Sequence, residues 1–327
     1  MNRFEYVAPA TLEQAVALLS EAGKRAKPLA GGMDLLGEMK DHLVEPERLV
    51  NLKAIPHLDA IDYDPQRGLR LGATATLTRV ANHPAIRQRF TAIAQAAQSV
   101  GTPQIRNQGT VGGNLCQRPR CWYYRNPDIP CLKKGGEVCY AVMGENKYHA
   151  LFGGNPDYIV HPSDLAPALI ALNARVTLVG PQGRRTLPLE EFFILPAVDP
   201  SRENVLAPQE LVAEVEVPAP PGEVRSAYSK FQERETSDFA LSSAAVALTL
   251  QGEVCQQARI VLGGVATIPW PVPHAAALLI GQRIDAALAA QAAEAALQGA
   301  EPMGQNAYKI PLTKTMVKRA ILEAVGD

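Results

Sequence analysis

Gly101-Thr102-Pro103-Gln104-Ile105-Arg106-Asn107-Gln108-Gly109-Thr110-Val111-Gly112-Gly113-Asn114 is the stretch on which the reading of the fold turns. Four of its residues are glycine, and each glycine disfavours a helix interior by about 1 kcal/mol relative to alanine. The stretch is therefore expected to be a loop with its backbone open to a ligand. A second glycine loop lies upstream: Ala30-Gly31-Gly32-Met33-Asp34 follows a strand-like run from Lys27 to Ala30 and opens a helix. Paired glycines let main chain approach a ligand, and the N–H groups at a helix start favour anionic oxygens. Alone, such a loop reads equally well as a tight strand-to-helix turn. Two of them, each presenting donors, point to a dinucleotide whose pyrophosphate lies between them. Neither has the G-x-G-x-x-G spacing of a Rossmann turn, so that fold is disfavoured.

Working outward, Thr11 to Ala22 is expected to be a helix, with Thr11 and Gln14 as a capping box and Leu12, Ala15, Val16 and Leu19 on one face. Arg48 to Leu52 and Leu69 to Ala73 read as strands, and Leu77 to Ala81, Thr91 to Val100 and Leu165 to Leu172 as helices. Asp164 stands where the last of these needs an N-cap. Arg175 to Val179 followed by Gly180-Pro181-Gln182-Gly183 predicts a strand and hairpin turn. Further on, strands are expected at Leu211 to Val217 and Arg259 to Gly263, with alanine-rich helices at Ala240 to Leu248, Asp285 to Leu297 and Thr313 to Ala324. The expected division is 1–54, 55–174 with an excursion at 115–159, and 175–327.

The 327 residues suffice for two or three packed units, and 47% hydrophobic with 20% charged residues is ordinary globular usage. A formal charge of −1 argues against a nucleic-acid partner. No signal segment and no bilayer-length apolar run is evident, so no membrane partner and a cytoplasmic location are expected, with export alongside a folded partner as the alternative.

Pro28 to Leu36, Gln104 to Asn107 with Thr110 to Asn114, and Pro162-Ser163-Asp164-Leu165 resemble the FAD-binding subunits of the xanthine dehydrogenase and carbon monoxide dehydrogenase family. Glu210 to Pro218, Tyr228-Ser229-Lys230 and Ile260 to Val265 resemble that family's C-terminal flavoprotein domain. The resemblance implies an α+β fold: a vanillyl-alcohol-oxidase-type FAD-binding domain of two α/β subdomains, then a three-stranded sheet carrying helices. It implies that Pro28, Leu29, Ala30, Gly31, Gly32, Met33, Asp34, Leu35 and Leu36 wrap the FAD diphosphate, and that Thr110, Gly112, Gly113 and Asn114 complete the phosphate and adenosine contacts. Asp164 and Lys230 would lie nearer the flavin, and Val100 and Val212 at cofactor-touching positions. The partners implied are a molybdopterin-bearing large subunit, a [2Fe–2S] small subunit and a terminal electron acceptor. The substrate, an aldehyde or related compound, would bind on another chain, and no residue here need act as acid or base. A self-sufficient FAD oxidase and a zinc-stabilised scaffold are the alternatives.

Cys116, Cys121, Cys131 and Cys139 fall in the excursion, while Cys255 stands apart as a buried small hydrophobe. A local cluster of four thiols in a large chain reads first as a metal site. Four thiolates suit a [4Fe–4S] cluster, whereas structural zinc usually shows paired Cys-x-x-Cys spacings, which are missing here. The arrangement resembles the family subgroup with an extra [4Fe–4S] cluster. Some members of it carry a further cysteine where this chain has Asp157. Trp122, Tyr123 and Tyr124 are expected to pack over the cluster loop.

Overall fold

The structure, a computed structural model, describes residues 1–21, 23–220 and 222–326. Strands β1 (Glu5–Val7), β2 (Ala26–Leu29) and β3 (Arg48–Asn51) form a parallel sheet in the order β1-β3-β2. Parallel neighbours need crossovers, and the helices Leu12–Ser20 and Leu35–Lys40 supply them. Thr11 caps the first helix, its Oγ1 accepting from the Gln14 amide at 3.2 Å, while Gln14 Oε1 accepts from the Ala10 amide at 2.8 Å. The expected end of this helix at Ala22 lies outside the described residues.

A five-stranded antiparallel sheet follows, built from β4 (Ile61–Asp64), β5 (Gly68–Gly72), β6 (Arg175–Gly180), β7 (Gly183–Pro188) and β8 (Leu211–Pro218) in the order β4-β5-β8-β6-β7. Strand β8 pairs with β5 on one side and β6 on the other. The sheet thus runs across residue 174, and the expected division there does not coincide with a break in hydrogen bonding.

The third sheet contains β9 (Val224–Phe231), β10 (Ser242–Gln251), β11 (Val254–Gly263) and the two-residue edge β12 (Trp270–Pro271), in the order β12-β11-β10-β9. Its three long strands match the expected three-stranded sheet. Helix Lys309–Val325 packs on β9 and β10, and helices Thr91–Ser99 and Leu165–Ala171 come from the earlier half of the chain to pack on β9 and on β10 and β11.

Two local expectations are corrected. Ala240 to Leu248 is not a helix: Ser242 onward is β10. Ala245 and Ala247 face one core while Ala244, Val246 and Leu248 face the other, a two-residue period with both faces buried. Small side chains let helices approach both sides, and that tertiary burial overrides alanine's helix propensity. The 101–114 stretch is likewise not an open loop but two short helices, Pro103–Gln108 and Val111–Leu115. Each is capped by a threonine: Thr102 Oγ1 accepts from the Ile105 amide at 3.3 Å and Thr110 Oγ1 from the Gly113 amide at 3.2 Å. With a cap and a packed partner, a single turn tolerates Gly112 and Gly113.

Candidate functional site

The β2-to-helix loop and the Thr110 turn face one another across a cleft of 510 Å³. Pro28, Ala30, Gly31, Gly32, Met33, Asp34 and Leu35 line it from the first side, and Thr110, Gly112, Gly113 and Asn114 from the second. Val100, Val212 and Asp164 also border it. Leu29, Leu36 and Lys230 are not on its wall. Leu36 packs beneath Gly32, its Cδ1 2.9 Å from where a Gly32 Cβ would stand.

The two loops do different work. The amides of Gly31, Gly32, Met33 and Asp34 have no acceptor among the described residues, so this loop has donors to offer an anion. In the other turn the amide of Gly112 donates to Ala73 O at 2.8 Å, that of Gly113 to Thr110 Oγ1 at 3.2 Å and that of Asn114 to Thr110 O at 2.8 Å. Its polar offering is therefore side-chain in origin, the Thr110 hydroxyl and the Asn114 carboxamide. The glycines serve the meeting of the segments as much as a ligand. A Cβ on Gly31 would lie 2.1 Å from Gln108 O, and one on Gly112 3.1 Å from Ala73 Cβ. Gly32 has a φ of +73°, which side chains rarely adopt.

Asp34 is the hinge between cleft and excursion. Its Oδ2 accepts from the Arg118 amide at 2.7 Å, and its Oδ1 pairs with Arg125 Nη2 at 2.7 Å and Arg120 Nη1 at 3.0 Å. Burial pulls the Arg120 guanidinium down to about 10, although the neighbouring Asp34 pulls the other way. Arg118 and Arg120 both line the cleft; the sequence reading missed them because guanidinium groups in an excursion carry no mark of the ligand they will face. Tyr124 belongs to this side, donating to Glu38 Oε1 at 2.5 Å and lying under Arg118 and Arg125.

Asp164 occupies the N-cap position of its helix but does not cap it; Ser163 Oγ accepts from the Ala166 amide at 2.9 Å instead. The Asp164 carboxylate accepts from Tyr228 Oη and Lys230 Nζ, both at 2.7 Å, and Lys230 also donates to Ser99 O at 3.0 Å. Lys230 is thus committed to a buried ion pair whose side chains are each 5% exposed. A second cavity, of 360 Å³, shares Arg120, Pro162, Asp164 and Phe239 with the first and adds His161. Burial, with Arg120 and Lys133 nearby, pulls His161 down to about 3 from its ordinary 6.5. An unfolded chain takes up that proton below pH 6.5, so this contribution to stability is present above 6.5 and lost as pH falls toward 3. His161→Phe is expected to flatten the acid limb of a stability-against-pH profile; an unchanged slope between pH ~6.5 and ~4 would count against a neutral buried imidazole.

The excursion separates its cysteines. Cys116 sits on the wall of the first cleft and packs on the core there, and burial alone pushes its thiol up to about 12. Cys121, Cys139 and Asp157 share another neighbourhood: Cys139 Sγ donates to Asp157 Oδ1 at 3.4 Å, and burial, with Asp157 and Cys139 nearby, pushes the Cys121 thiol up to about 12. Cys131 pairs through its backbone with Val138, the residue before Cys139. His149 Nε2 lies 3.3 Å from Cys121 Sγ, and Trp122 and Tyr123 pack on the His149 ring. Cys255 is buried in β11, far from the other four cysteines in sequence. Among the described residues no three His, Cys, Asp or Glu side chains converge tightly enough to hold a single metal ion. A tetrahedral zinc site would bring thiolates to about 3.8 Å from one another, whereas a cubane holds its ligands well apart. Cys121, Cys139 and Asp157 therefore lie near one another without forming a single-ion site, while Cys116 packs on the first cleft. No helix among the described residues is long and apolar enough to cross a membrane.

Comparison with known proteins finds two family domains along the chain. Residues 2–220 match the family described as FAD binding domain in molybdopterin dehydrogenase, and residues 226–324 the CO dehydrogenase flavoprotein C-terminal domain. The chain is 34% identical to the aldehyde oxidoreductase FAD-binding subunit of Escherichia coli (strain K12), over 99% of both chains. It is 31% identical to the carbon monoxide dehydrogenase medium chain of Hydrogenophaga pseudoflava, over 98% of this chain and 96% of that one. The solved carbon monoxide dehydrogenase of Hydrogenophaga pseudoflava lacking the Mo-pyranopterin moiety superposes with a TM-score of 0.78 at 30% identity, over 99% of this chain and 97% of that one. With its mixed α/β FAD-binding domain and antiparallel C-terminal sheet, the chain belongs to the family of FAD-binding subunits of the molybdenum hydroxylases.

Proposed function

We propose that this chain is the electron-exit subunit of a heteromeric aldehyde-oxidising molybdenum hydroxylase, holding FAD in the first cleft and a [4Fe–4S] cluster in the 115–159 excursion. A [2Fe–2S] small subunit would deliver electrons from the molybdenum-bearing large subunit, and a terminal acceptor would remove them. The observation that carries the reading is the row of amides at Gly31 to Asp34 with no acceptor among the described residues, facing the Thr110 turn across a cleft of 510 Å³. Support for an aldehyde comes from the 34% identity to an aldehyde oxidoreductase subunit along the full length.

The flavin supplies the redox chemistry; the protein binds, orients and tunes it. The first loop offers amide donors to the diphosphate, Arg118 and Arg120 add positive charge, and Asn114 and Thr110 offer side-chain contacts from the opposite wall. Asp34 couples the diphosphate loop to the excursion through Arg120 and Arg125, so the two cofactors would share a rigid wall. Leu29, Leu36 and Lys230 contribute by packing and by fixing Asp164, without lining the cleft.

The test is to purify the chain anaerobically, alone and with its large and small partners. Flavin, iron and acid-labile sulfide are quantified, and aldehyde-dependent reduction of an artificial acceptor is assayed. The expected result is about one flavin per chain, iron matched by sulfide, and turnover only in the assembled complex. Stoichiometric zinc without iron would sink the cluster, absence of flavin the cleft assignment, and turnover by the chain alone the division of labour.

A further inference from the structure

We propose that Asp157 supplies the fourth ligand of the cluster, with Cys121, Cys131 and Cys139, and that Cys116 is not a ligand. The proposal rests on the cluster reading above and specifies its ligand set.

The excursion has four cysteines, and counting alone assigns one to each iron. The fold does not honour that count. Cys116 ends the turn that begins at Thr110, its amide donating to Gly112 O at 3.0 Å, and its side chain belongs to the wall of the dinucleotide cleft. Cys131 and Cys139 are held together by a small ladder, in which Cys131 bridges Val138 and the Leu132 amide donates to Val138 O at 2.9 Å. Cys139 Sγ then meets Asp157 Oδ1 at 3.4 Å. The chain returning from the excursion thus brings the residue 157 side chain to Cys139.

Asp157 is one of two buried carboxylates here, and it shares its cation, Lys133, with the other, Glu203. It is 3% exposed, and its Oδ2 makes no hydrogen bond. Lys133 Nζ stands 3.4 Å from that oxygen, but its shorter contacts are Glu203 Oε1 and Pro200 O, both at 2.7 Å. A buried carboxylate oxygen lacking a hydrogen bond is costly unless a cation takes it up. Iron is such a cation, and carboxylate oxygen is an acceptable, harder alternative to thiolate. Lys133, two residues after Cys131, would then offset the charge of the three thiolates and the carboxylate, and His149 Nε2 lies within reach of Cys121 Sγ as a hydrogen-bond donor.

The experiment compares the anaerobically purified wild-type chain with Cys116→Ser, Asp157→Ala and Asp157→Cys. Iron, sulfide and flavin are quantified, and electron paramagnetic resonance is recorded in oxidised and reduced states. Cys116→Ser is expected to keep the wild-type iron content and the reduced-state spectrum. Asp157→Ala should lose about a quarter of its iron and show the oxidised-state signal of a three-iron cluster, with flavin retained as the sign of a folded chain. Asp157→Cys should stay iron-replete with an altered reduced-state spectrum, and this variant decides the matter if the alanine variant does not fold. An iron-replete wild type in which Cys116→Ser loses the cluster, or in which Asp157→Cys leaves the spectrum unchanged, would overturn the ligand assignment alone. A wild-type chain without iron would overturn the cluster reading and this assignment with it.

Discussion

Gly31→Ala is expected to weaken flavin binding by about ten- to a hundredfold. The new Cβ would stand 2.1 Å from Gln108 O and 2.8 Å from Gln108 C, and a backbone neighbour cannot rotate away as a side chain can. The β2 loop must therefore lift off the second segment, which opens the cleft between them. Overpacking of this kind typically costs about 1–3 kcal/mol, and each ~1.4 kcal/mol drawn from binding is tenfold in affinity. Gly32→Ala should cost less, about fivefold, because its +73° φ imposes roughly 1 kcal/mol of backbone strain but its nearest obstacle is the movable Leu36 side chain. Gly113→Ala should cost least, since its Cβ meets only the Thr110 hydroxyl, at 2.9 Å, and displaces a cap worth about 1 kcal/mol at most. Flavin titration by fluorescence quenching, with bound flavin per purified chain, measures all three. Native affinity in Gly31→Ala, or a larger loss in Gly113→Ala, would refute the account in which the two segments must touch to form the cleft.

Lys230→Met is expected to destabilise the fold by about 3–5 kcal/mol, because it strands the Asp164 carboxylate in the interior with only Tyr228 to serve it. The pair joins units distant in sequence: Lys230 lies on β9, Asp164 at the start of helix Leu165–Ala171, and Ser99 at the carbonyl end of helix Thr91–Ser99, where a cation is also favoured by the helix dipole. Breaking it should loosen the C-terminal sheet from the FAD-binding domain as well as lower the overall midpoint. The Asp164→Asn, Lys230→Met double variant should recover part of the loss, since no buried charge is then left unpaired. Denaturant titrations of the single and double variants read this directly. An unchanged midpoint in Lys230→Met would mean that solvent reaches Asp164 and that the pair is not a structural link.

Short-range chemistry is readable from the chain. Thr11 with Gln14 marks a helix start because a cap and its partner are neighbours in sequence, and both bonds are made. Strand β8 and the hairpin of β6 and β7 are legible from alternation and turn glycines. Helix Lys309–Val325 is legible from its long apolar period, although it begins four residues before the expected start at Thr313. The cleft itself is legible in outline, since fourteen of its lining residues follow from the two glycine loops and the family resemblance.

The sequence by itself determined that a small N-terminal α/β unit, two glycine-bearing segments and a cysteine-rich excursion occur, because each is specified by residues a few positions apart. Tertiary structure alone decided the rest. It made Ala244 to Leu248 a strand, because helices close on both faces of the sheet and only small side chains leave them room. It spent the amides of the Thr110 turn on Ala73 and Thr110 while leaving those of Gly31 to Asp34 without an acceptor among the described residues. It sent Cys116 to the first cleft and brought Asp157 to Cys139. Each of these depends on which distant segment arrives beside a residue, and a local pattern carries no record of that arrival.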